Sequence, residues 1–140
     1  MNLIKKTKFM SAVTPTAGVA GTSAINGTTL DVQGFEGIIA YVRFGAIVSG
    51  AVTSVKMQHG DASDLSDAAD VSGSSVTVAD TDDEKAVVIN LHRPLKRYVR
   101  VVVSRGTQNA TVSEAHYQLY DARKAPTTHD TSVTAVLVTV

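Results

Sequence analysis

IIAYVRFGAIV, residues 38–48, repeats apolar side chains at every second position, with Ile38, Ala40, Val42 and Phe44 on one face. A period of two belongs to an extended strand, whose successive side chains point to opposite sides. The stretch therefore predicts a β-strand with one dry face. The same reading spreads outward along the chain. AVTSVKMQ (51–58) sets Thr53, Val55 and Met57 against Ser54, Lys56 and Gln58. AVVINLH (86–92) turns Val87, Ile89 and Leu91 one way, and RYVRVVVS (97–104) does so with Val99, Val101 and Val103. In TVSEAHYQLYDA (111–122), Ala115, Tyr117 and Leu119 alternate with Glu114, His116 and Gln118. TTLDV (28–32), SSVTV (74–78) and SVTAVLVTV (132–140) bring the expectation to seven or eight short strands.

Composition agrees with this. Val and Thr supply 21 and 16 residues, so 37 of 140 are β-branched before Ile is added. Such side chains lose rotamer freedom in a helix and suit a pleated surface. Turn signals (QGFEG, DTDDE, RGTQN and the prolines at 94 and 126) separate the strands, and no amphipathic helix is evident. The expected class is all-β, an antiparallel β-sandwich or jelly roll. Residues 1–27 read as an extended N-terminal arm, because Gly, Ala, Thr and Ser offer little to bury and Asn26-Gly27 marks a tight turn. The sandwich domain would then occupy 28–140. The apolar, uncharged SVTAVLVTV would aggregate as an open edge, so it is expected to be paired, with the arm ordered against an adjacent subunit.

At 140 residues, one domain buries roughly 70% of its unfolded surface and needs no covalent staples. The chain has no cysteine, which excludes a disulfide framework and a thiolate metal site and fits a reducing cytosol. The start, MNLIKKTKFMSAVTPTAGVA, has an export-like basic head. Ser11, Thr14, Pro15 and Thr16 interrupt its apolar run, so export is not expected. No stretch approaches the roughly 20 apolar residues of a membrane span.

Thirteen basic and thirteen acidic residues cancel but are segregated along the chain. Residues 1–60 carry +3, 61–84 carry −8, 85–124 carry +6 and 125–140 carry −1. That layout is unlike the broadly basic surface that coats DNA, and direct nucleic-acid binding is not expected. It suits contacts between protein subunits, where charge selects orientation.

QHGDASDLSDAADVSG (58–73) spaces Asp61, Asp64, Asp67 and Asp70 three apart. A calcium loop of the EF-hand type needs ligands on alternate residues, a central Gly and a closing Glu, none of which fits here. Asp and Ser in such runs favour local turns. A solvated loop or a partner contact is the reading, with no metal. His59, His92, His116 and His129 lie in different elements at no metal-ligand spacing. Neither a G-x-S-x-G elbow nor S-x-x-K occurs, so the chain is read as no enzyme and as needing no cofactor. LHRPLKRYVRVVVSRG (91–106) is the basic counterpart of the acidic loop. The residues expected to make protein contacts are Lys5, Lys6, Lys8, Asp64, Asp67, Arg93, Lys96, Arg97 and Arg100.

SVKMQHGDASDLSDAADVSGSSVTV (54–78) resembles a segment that recurs in head proteins of tailed bacteriophages: a strand, an Asp/Ser-rich loop, Ala-Asp-Val and another strand. RPLKRYVRVVVS (93–104), a further strand and a late turn from Arg123 to Pro126 complete a likeness over about residues 35–126. By length and order of features the chain is similar to the capsid cement, or decoration, proteins of these phages. The resemblance implies a β-sandwich or jelly roll on the outer surface of an icosahedral head. There it would bridge major capsid proteins against internal DNA pressure, as a homodimer or other homo-oligomer assembled in the host cytoplasm, with no membrane contact. The alternative is a carbohydrate-binding β-sandwich on the virion surface. The absence of Trp and the small number of aromatics weaken it, since sugar rings stack on such side chains.

Overall fold

A computed structural model describes residues 2–136. Two antiparallel sheets pack face to face in an all-β sandwich. Sheet A contains β1 (Lys8–Val13), β4 (Gly37–Ile47), β8 (Ala86–His92) and β10 (Ala110–Tyr120), in the spatial order β1-β10-β4-β8. Sheet B is built on β5 (Val52–Gly60) and β9 (Tyr98–Gly106). β2 (Ile25–Asn26) and β3 (Leu30–Asp31) flank β9, while β6 (Ala69–Asp70) and β7 (Val76–Val78) flank β5. A 3-10 turn at Leu3–Lys6 is the one helical piece among the described residues.

The alternating residues meet in the middle. Ile38, Ala40, Val42, Phe44, Ala115, Tyr117 and Leu119 of sheet A face Val55, Met57, Val99, Val101 and Val103 of sheet B, all buried. Tyr117 ties the layers: its hydroxyl accepts the Val101 N–H at 2.8 Å and donates to the Thr28 carbonyl at 2.9 Å. Gly27 passes over this contact, where a Cβ would lie 2.7 Å from Val101 and 2.8 Å from the Tyr117 hydroxyl.

Two expectations are corrected. Residues 1–27 are no extended arm. β1 pairs with β10 and buries Ala12 and Val13, and β2 pairs with β9 and buries Ile25, so the domain does not begin at residue 28. KFMSAV alternates Met10 and Ala12 inward, enough apolar surface to hold a strand. The Gly/Ala/Thr-rich part proper is the loop after it. Arg105 pins that loop, donating to the carbonyls of Val19 and Ser23 at 2.7 Å each. The final strand expected at 132–140 does not form over 132–136, and 137–140 lie outside the described residues. Residues 129–132 instead cap the outer edge of β1: His129 Nδ1 accepts from Phe9 N at 3.0 Å, Ser132 Oγ from Ser11 N at 2.9 Å, and Asp130 N donates to Phe9 O at 3.4 Å.

Among the described residues, no strand pairs with the opposite edge of sheet A, that of β8. Phe44 N donates to Lys85 O, and Arg93 N to Glu36 O, fixing the odd-numbered residues of β8 as those bonded to β4. Antiparallel pairing alternates, so the backbone groups of Val88 and Asn90 point away from the sheet. Val88 is 58% exposed.

Candidate functional site

The links β4–β5, β7–β8, β8–β9 and β9–β10 all cross between sheets, which gathers the loops at the two ends of the sandwich. At one end lie the start of β4, the ends of β5, β8 and β10, and the starts of β1 and β9. All nine residues expected to make contacts fall there: Lys5, Lys6 and Lys8 before and in β1, Asp64 and Asp67 after β5, and Arg93, Lys96, Arg97 and Arg100 between β8 and early β9. Arg123 and Lys124, which follow β10, join them.

Most of these cations are held. Arg93 Nε lies 2.7 Å from Glu36 Oε1, and Arg97 reaches both oxygens of Asp31, with Nη2 2.9 Å from Oδ2. Lys96 pairs with Asp61, and Lys6 with Asp121 at 3.5 Å. Arg100 donates twice to Gln58 Oε1, at 2.8 and 3.0 Å, and Gln58 passes a hydrogen bond on to Asp70, which Lys56 also grips. The Arg97 guanidinium holds the Asp31 carboxyl below its ordinary range, and Arg93 does the same to Glu36. Among the described residues, Lys5, Lys8, Arg123 and Lys124 have no carboxylate within ion-pair distance.

The aspartate loop turns its carboxylates onto its own backbone. Asp67 accepts from the N–H of Asp61 at 2.8 Å and of Ala62 at 3.2 Å, and Asp64 accepts from Ser66 N at 2.9 Å. These amides, the Asp61 N–H first, lower the Asp67 pKa. Leu65, in the left-handed region at φ 54°, is buried and anchors the loop. Gly60 makes room for it, since a Cβ there would lie 2.2 Å from Asp67 Oδ1. Among the described residues no group of three or more His, Cys, Asp or Glu is placed to hold a metal ion.

The acidic run of residues 61–84 is not one patch. β6 and β7 carry the chain back along β5, so Asp80, Asp82, Asp83 and Glu84 emerge at the far end. Three of them are spent on backbone there: Asp83 accepts from Ile47 N at 2.6 Å, Asp80 from Gly50 N at 2.7 Å and Asp82 from Ala79 N at 3.0 Å. The histidines stay apart, with His129 against Phe9, His116 against Tyr41 and His92 beside Tyr120.

Sequence reasoning missed one residue at the basic end. Leu95 is 88% exposed at the tip of the β8–β9 loop, between Arg93, Lys96 and Arg97. Its signal was a single apolar side chain after Pro94 in an otherwise charged turn. Beside it is a shallow cleft of about 290 Å³ lined by Val32–Phe35, Pro94–Arg97 and Arg123. No family model, curated protein or solved structure matches the chain.

Proposed function

We propose that the protein is a structural component of a tailed-phage head, a cement protein that docks its basic end on the outside of the shell and joins neighbouring major capsid proteins. The observation that carries the reading is Leu95, an isolated apolar knob within a collar of charged residues at one end of the sandwich. An apolar centre with a polar rim is the anatomy of a protein–protein contact. The collar is pre-organised: Glu36, Asp31 and Asp61 hold three of the cations in place before any partner arrives, lowering the ordering cost of docking. Lys5, Lys8, Arg123 and Lys124 remain for acidic groups on the capsid protein. The edge of β8, unpaired among the described residues, supports assembly with a further chain, a second copy or the capsid protein, since unpaired strand edges recruit strands.

The test is reconstitution. Purified protein is added to heads lacking it, and co-sedimentation and resistance of the heads to heat are measured. The proposal expects saturable binding that weakens with salt and heads that burst at higher temperature when decorated. Heads that bind none of it, or bind it without gaining resistance, would remove the cementing role.

A further inference from the structure

Tyr120, Gly37 and His92 stand in one cross-strand row of β10, β4 and β8. Their neighbours Leu119, Ile38 and Leu91 point into the sandwich, so this row faces outward. Gly37 lets the row lie flat: a Cβ there would sit 2.2 Å from the Tyr120 hydroxyl and 2.3 Å from its Cζ. The Tyr120 ring therefore lies across β4, where a side chain would otherwise stand. The His92 imidazole is parallel to it within 3°, with centroids 6.4 Å apart and Nδ1 3.3 Å from the Tyr120 hydroxyl. Two parallel rings carry an apolar shelf across three strands.

Proton counting sets the polar rim of this shelf. The Tyr120 hydroxyl gives its only proton to Asn90 Oδ1, 2.8 Å away. Its oxygen can then only accept from His92, so the neutral imidazole carries its proton on Nδ1 and leaves Nε2 as an acceptor. With Oδ1 occupied, the Asn90 amide leaves its –NH₂ to donate. A flat apolar shelf beside one donor and one acceptor matches a sugar ring, whose C–H face packs on rings while its hydroxyls give and take hydrogen bonds. Arg93, next along the chain, is paired through Nε with Glu36 Oε1, so the charge beside the shelf is close to balanced, which favours a neutral sugar over a nucleotide. We propose that Tyr120, His92 and Asn90 form a carbohydrate-binding shelf for one neutral pyranose ring.

Saturation-transfer NMR on the intact protein tests this with cellotriose, maltotriose and a short oligothymidylate as probes. His92→Ala and Asn90→Ala are compared with wild type, Val76→Ala in sheet B serves as the control, and thermal melts confirm that each variant folds. The shelf predicts transfer to at least one trisaccharide, lost in the His92 and Asn90 variants and retained in the control. Silence from both trisaccharides, transfer indifferent to these substitutions, or transfer to the oligothymidylate alone overturns it.

Discussion

The hydroxyl of Tyr117 in one sheet takes the backbone N–H of Val101 in the other, 2.8 Å away in the middle of the core. Removing it strands a buried amide and the Thr28 carbonyl together. Tyr117→Phe is expected to lower unfolding free energy by about 1–3 kcal/mol, the usual cost of orphaned buried partners. Urea titration of the two proteins checks this.

Burial, ahead of every other influence, pushes the Tyr117 hydroxyl above its ordinary value, and the Val101 amide opposes this only in part. Folding therefore favours the neutral phenol. The stability it contributes is complete below the unfolded value of about 10 and is lost as pH rises above it. An ultraviolet titration should show one tyrosine that ionises only as the fold collapses. Smooth ionisation of all four in the native state would contradict the buried contact.

β1 is part of the core rather than a tether. Deleting residues 1–13 exposes the edge of β10 and removes Ala12 and Val13, so the truncated chain should lose its cooperative thermal transition. A truncated protein that melts like the full chain would show that sheet A closes without it.

The aspartate loop should ignore calcium, because Asp64 and Asp67 already serve backbone amides while Asp61 and Asp70 are paired with Lys96 and Lys56. Melting temperature is expected to be the same in calcium and in chelator, and Asp67→Ala should lower it in both. Acid acts on the same groups. Hydrogen bonds depress Asp67, Asp31 and Glu36, so the stability they contribute is present above ordinary carboxylate values and is lost as pH falls through the depressed ones. Melting temperature measured from neutral pH downward should hold and then fall in that acid range.

β4, β5, β9 and β10 were legible because inward residues alternate through the centre of each, over Ile38–Phe44, Thr53–Met57, Val99–Val103 and Ala115–Leu119. β1 was not: Phe9 and Met10 put apolar groups on both faces, next to a Gly/Ala/Thr-rich loop that masked the period. The charged residues could be named from sequence, but not which end they occupy. That depends on β6 and β7 doubling back along β5, which separates Asp64 and Asp67 from Asp82 and Asp83. The Tyr120–Gly37–His92 row had no local signal at all, since only strand register brings the three together.

The central claim is that the basic end, with Leu95 at its tip, meets the capsid. Cryo-electron microscopy of reconstituted heads, with wild type and Leu95→Asp, tests it most directly. Leu95 contacts little of its own fold, so the variant should melt like wild type. The account predicts density on the outer shell with the Arg93–Arg97 loop against the capsid protein, and sharply reduced occupancy for the variant. Density with the Asp80–Glu84 end against the shell, or full occupancy by Leu95→Asp, would contradict it.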